Sequence, residues 1–106
     1  MAIMTKENIE KAIRKYLENH LDLIPQLKRD GLFNVKINQI SMAEPFVFTG
    51  RGEYKFTGEG EGCVLTEDGG KSIRRFRILP SLAMISEGEK EPVVENIKEP
   101  VLIEYL

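Results

Sequence analysis

The side chains able to do chemistry in this sequence are few, and their spacing decides what they could do. Gly70-Lys-Ser72 has the ending of a phosphate-cradling loop. The glycine such a loop needs five residues earlier is Leu65, and residues 73–79 read as a strand where a helix must follow, so the motif is rejected. Gly58-Glu-Gly-Glu-Gly62 has the wrong glycine spacing for a dinucleotide fingerprint, and its carboxylates would repel a pyrophosphate. One histidine and one cysteine cannot build a zinc cage within one chain. Glu59, Glu61, Glu67 and Asp68 match no calcium-loop spacing and read as a solvated acidic turn facing Arg75 and Arg77. No metal and no cofactor is expected.

His20 lies between Tyr16 and Ile24 at the border of an apolar helical face. A buried imidazole beside a tyrosine is a candidate acid or base. No second polar partner is identifiable in the sequence, so a packed ring with one wet nitrogen is the expected role. Cys63 falls in a strand with no helix N-terminus near it to lower its pKa, which makes an inert thiol the expectation. No catalytic residue is assigned. Arg74, Arg75 and Arg77 surround Phe76, and basic residues interleaved with an aromatic can grip a single-stranded nucleic acid. Alternation puts Arg75 and Arg77 on one face and Arg74 with Phe76 on the other. Cross-strand neutralisation by Glu53, Glu61 or Glu104 accounts for these arginines without a nucleic acid.

The elements that must position these groups centre on residues 46–62, where every second residue is aromatic or glycine. That is the period of a strand with one buried and one wet face. Phe48-Thr-Gly-Arg-Gly-Glu53 returns as Phe56-Thr-Gly-Glu-Gly-Glu61, in phase. Extended, this stretch would span roughly 55 Å, against a radius of gyration of about 13 Å for a domain of this size. A bend near Gly50 and Gly52 and a turn within residues 57–61 are therefore expected.

Before this stretch, Thr5 reads as an N-cap with Glu7 in the first turn. Ile9, Ala12, Ile13, Tyr16, Leu17, Leu21 and Ile24 keep helical spacing, predicting one long helix over about 5–24 that Pro25 ends or kinks. A short turn over 26–30 closes at Gly31. Strands are predicted at about 32–41, 45–57, 61–67, 72–79, 82–87 and 100–106, with Phe33, Val35 and Ile37 facing inward. Asp68-Gly-Gly-Lys71 signals a hairpin. A three-residue loop there would set Glu61 opposite Arg77, Leu65 opposite Ile73 and Phe76 opposite Gly62. Pro80-Ser81 marks a bulge or an edge.

At 106 residues, 42% apolar and 30% charged, the chain is sized for one α+β domain over 1–106. The element order is one long N-terminal helix packed on a curved antiparallel sheet of five to six strands. It resembles the cystatin-like architecture in that order alone, with no motif shared; the related cone of the ketosteroid isomerases carries more helices. The net charge of −2 does not favour a nucleic-acid partner, although residues 71–80 carry four basic and no acidic side chains. The single cysteine suits a reducing compartment, no signal peptide is visible, and no apolar run approaches the ~20 residues that span a bilayer. A cytoplasmic protein without a membrane partner is expected.

The leading functional expectation is a small soluble non-enzymatic module that binds another protein, or a second copy of itself as a homodimer, through its sheet. The alternative is a small-molecule pocket between helix and sheet, isomerase-like in chemistry, lined by Tyr16, His20, Phe48, Tyr54 and Phe56. Third stands weak nucleic-acid binding through the arginine strand, with Arg51, Lys55, Arg75 and Arg77 as the surface.

Overall fold

The computed structural model describes residues 4–106. The first helix, α1, runs over Lys6–Glu18, with the Thr5 hydroxyl accepting the Asn8 N–H at 3.1 Å. Its apolar stripe, Ile9, Ile13 and Leu17, is fully buried. The helix is shorter than the 5–24 predicted. Asn19 caps it, a 3₁₀ turn follows over Leu21–Leu23, and a second helix, α2, occupies Pro25–Arg29. Pro25 thus starts a helix rather than ending one, since the first helical position needs no N–H. The break has a reward. It turns Ile24 and Leu27 into the core, and it frees the Leu23 carbonyl to accept the Val101 N–H at 2.9 Å. Gly31, at φ +74°, closes α2 as expected: its N–H reaches Lys28 O at 3.2 Å, and the Leu32 N–H reaches Leu27 O at 2.9 Å.

Five antiparallel strands follow: β1 Phe33–Met42, β2 Gly52–Leu65, β3 Lys71–Glu87, β4 Pro92–Ile97 and β5 Ile103–Tyr105. Their order is β1-β2-β3-β4, and β5 also pairs with β3. Because β2 takes one side of β3 along its length, β4 and β5 share the other side, at residues 83–87 and 76–78. The fold is α+β, one main helix on an open antiparallel sheet, and it is compatible with the cystatin-like element order. Helix α1 lies against both outer strands, β1 and β4. The free edge of β1 is closed by the helix itself: Glu18 Oε2 accepts the Ile37 N–H at 3.2 Å, and Glu10 Oε2 accepts the Met42 N–H at 2.9 Å. On the far side, the Gln26 side-chain amide bonds both backbone groups of Ile103, at 2.8 and 3.0 Å, as a neighbouring strand would.

Four expectations about strands are corrected. The strand predicted at 45–57 begins only at Gly52, and β2 then runs unbroken through residues 57–61. The long strand fits because the molecule measures 52 × 23 × 20 Å, with a radius of gyration of 14.9 Å. The chain does turn at Gly50, φ +106°, where the Tyr54 hydroxyl donates to Gly50 O at 2.6 Å and accepts the Thr49 N–H at 3.0 Å. Second, the pieces predicted at 72–79 and 82–87 form one strand. Phe56 faces Ser81 and Gly58 faces Ile78, so Leu79 and Pro80 bulge opposite Thr57. Third, the hairpin register lies two residues from the predicted one, with Glu61 facing Arg75, Gly60 facing Phe76 and Cys63 facing Ile73. The loop keeps three residues but sits one residue earlier, at 67–69, because the Thr66 N–H reaches Gly70 O at 2.9 Å, Asp68 Oδ1 takes the Gly70 N–H at 3.1 Å, and Gly69 supplies φ +86°. Fourth, Phe33 does not face inward. Asn34 sits at φ +52° in a register shift between Phe33 and Lys36, and this extra residue turns Phe33 onto the outer face with Cys63.

The glycine face of β2 is a close-packing device. A Cβ on Gly60 would lie 2.6 Å from the Phe76 ring and 2.6 Å from Lys36 O. Gly62 lies under Leu32 and Val35 in the same way.

Candidate functional site

The five residues predicted to line a pocket are in three settings. Tyr16 and His20 stack at 4.1 Å between ring centroids, with His20 Nδ1 2.8 Å from Tyr16 O, and they border a cleft of about 170 Å³ with Pro92 and Val94. Phe48 stacks on Tyr54 at 5.5 Å, with Phe46 at 5.7 Å. Phe56 is 1% exposed and lies in the core. The structure brings Tyr16 to His20 and Phe48 to Tyr54, and it does not bring the two pairs together: alternation is a local signal and cannot join a helix face to a loop.

The predicted basic surface is interleaved with acids. Arg51 is held by both Glu95 oxygens, at 2.7 and 2.8 Å, which raises its pKa and lowers that of Glu95. On the outer face of the sheet, Lys36, Glu61 and Arg75 form one cross-strand row, and Gln39, Glu59, Arg77 and Glu104 form the next. Arg77 Nη1 is 3.9 Å from Glu104. Lys55, on the same face, stands opposite Leu82. Arg74 points to the other face as predicted, its guanidinium 4.1 Å from the centre of the Tyr105 ring.

Two features were not read from the sequence. The first is an apolar row on the outer face at the hairpin end, where Phe33, Cys63 and Ile73 face one another across three strands. Leu65 follows on the same face; Leu65 is 71% and Ile73 63% exposed. Lys71 reaches across, its Nζ 6.0 Å from the centre of the Phe33 ring. Parity along β2 carried half of this signal, since Cys63 and Leu65 occupy the positions that alternate with Gly62 and point outward. The bulge that brings Phe33 to join them left no sequence signal.

The second is a groove of about 590 Å³ on the opposite face, between α2 and the start of β1. Leu21, Ile24, Leu27, Leu32 and Val35 line it, with Asp22, Lys28 and Arg29 among the polar residues around it. Its outer wall is pinned. Asp30 accepts from Arg29 Nε at 3.0 Å and from the Tyr105 hydroxyl at 2.6 Å, which lowers its pKa. Burial first, and the bond to Asp30 second, push the Tyr105 phenol up to about 12.

Among the described residues, no group of three or more His, Cys, Asp or Glu is placed to hold a metal ion, and no helix is long and apolar enough to cross a membrane. Compared with family models, curated proteins and solved structures, the chain matches none.

Proposed function

We propose that this is a non-enzymatic protein-binding module of the cytoplasm, which docks through the outer face of its sheet at the hairpin end. The observation that carries the reading is the row Phe33, Cys63 and Ile73 with Leu65 beside it, apolar, with Leu65 and Ile73 largely exposed, next to rows that are mostly charged. An exposed apolar patch rimmed by charge has the anatomy of a docking surface. A second copy is the partner best suited to it. The adjoining rows alternate in sign, Lys36, Glu61, Arg75 and then Glu59, Arg77, Glu104, so the face is complementary to itself about a two-fold axis. Edge-to-edge pairing through β1 is less favoured, because Glu18 and Glu10 already occupy two of its edge N–H groups, those of Ile37 and Met42.

Light scattering over a wide concentration range tests this. The parent should approach twice the 12.1 kDa chain mass and Leu65→Asp with Ile73→Asp should return it to a single chain without lowering its melting temperature. A 12.1 kDa species at every concentration overturns self-docking.

A further inference from the structure

The groove behind α2 lies on the other face of the sheet, and its case is independent of the docking surface. Two devices keep it open. Alternation would send Leu32 and Val35 to opposite faces, but the extra residue at Asn34, φ +52°, brings both to the same side. Beneath them Gly62 has no side chain: its Cβ would lie 2.9 Å from Leu32 Cδ2 and 3.1 Å from Val35 Cγ2. The two aliphatic chains therefore lie flat on bare backbone instead of standing into the space above. Across the gap, α2 is fixed by Gln26 on Ile103 and by Asp30 on Tyr105. Aliphatic walls held apart in this way form a preformed site, and about 590 Å³ falls within the roughly 300–1,000 Å³ of small-molecule pockets.

The rim supplies the polar half of the recognition. Arg29 is turned to Asp30, whereas Lys28 makes no ion pair among the described residues. Asp22 shares the rim and works against a multiply charged anion. The geometry points to a binding site for a single-chain aliphatic carboxylate, a medium-chain fatty acid being the simplest. Its tail lies against the half-buried Leu21, Leu32 and Val35, over a floor of the buried Ile24 and Leu27, and its carboxylate meets the Lys28 ammonium.

The test is a titration of the full chain, labelled on its Ile, Leu and Val methyl groups, with sodium decanoate below its micellar concentration. Saturable shifts confined to the methyls of those five residues are expected. Lys28→Glu should weaken decanoate at least tenfold while leaving the free spectrum unchanged, since Lys28 is exposed. Decyltrimethylammonium, with the same tail and opposite charge, should bind the parent at least tenfold more weakly. No saturable shift at millimolar decanoate, or equal affinity in Lys28→Glu, overturns the proposal. So does movement of the same methyls with protein concentration alone, which would put a second copy in the groove. None of these outcomes depends on the hairpin surface, which Leu65→Asp and Ile73→Asp probe separately.

Discussion

Replacing Gly60 by alanine tests the central claim about this sheet, that its glycines exist for close approach. A Cβ there would lie 2.6 Å from Phe76 Cζ, 2.8 Å from Cε1 and 2.6 Å from the Lys36 carbonyl oxygen. Ordinary contact begins near 3.4 Å, so each neighbour must give by more than half an ångström. Neither can do so freely. Phe76 is fully buried, and Lys36 O belongs to the adjoining strand. Overpacking of a closed core costs about 1–3 kcal/mol, and two simultaneous clashes place this substitution near the upper end. With an unfolding entropy of about 2.1 cal/mol/K per residue, ~2–3 kcal/mol lowers the melting temperature by roughly 10 °C. Gly52→Ala is the control, because its nearest atom is Gly50 O at 4.0 Å; the change should be neutral or slightly stabilising. Thermal unfolding followed by circular dichroism reads both. Gly60→Ala melting within about 2 °C of the parent, or Gly52→Ala losing as much, refutes the reasoning.

Glu10→Ala with Glu18→Ala should cost about 1–2 kcal/mol for each carboxylate bond lost and bare the β1 edge. Sedimentation velocity should then show association that the parent lacks in the presence of Leu65→Asp and Ile73→Asp. Arg75→Gln with Arg77→Gln should change stability by no more than ~1 kcal/mol, as exposed cross-strand pairs do. A labelled single strand should show no salt-sensitive binding to the parent; micromolar binding lost in that variant would restore the nucleic-acid reading. The Tyr105 phenol, with its pKa raised to about 12, stabilises the fold fully below the unfolded value near 10 and loses that contribution as pH rises through about 12. Ultraviolet titration should show a tyrosinate step near pH 12 that Tyr105→Phe removes; if the step that Tyr105→Phe removes lies at pH 10, the burial of the phenol and its bond to Asp30 are both refuted.

What could be read from the residues was whatever repeats locally. Ile9, Ile13 and Leu17 announced the helix face, and the alternation around Phe56 announced β2. What could not be read were the places where one residue changes a phase. Asn34 is such a place: one left-handed residue moved Phe33 outward and Leu32 inward beside Val35, which faces inward as its alternation with Ile37 predicted, and asparagine carries no alternation signal. Leu79 and Pro80 are another, where the proline was legible but the pairing across it was not. The hairpin register followed a sound idea, an aromatic ring over a glycine, but Gly58, Gly60 and Gly62 offered that partner three times. The choice of Gly60 depended on the loop that Thr66 and Gly70 close. The relative placement of Tyr16, Phe48 and Phe56 was illegible for a related reason, since each lies in its own segment and nothing in their spacing relates the segments.

The Gln26 amide on Ile103 has a consequence for how the molecule breathes. Strand β5 is three residues long, and α2 is five. Neither is long enough to persist by its own hydrogen bonds. Each is secured largely by the other, through Gln26 on Ile103, Asp30 on Tyr105 and the Leu23 carbonyl on Val101. Segments more than 70 residues apart in sequence therefore open as one cooperative unit. In hydrogen exchange, the amides of Val101 and Ile103 should share a single opening free energy with those of Leu27 and Leu32. The paired core of β2 and β3 should exchange later.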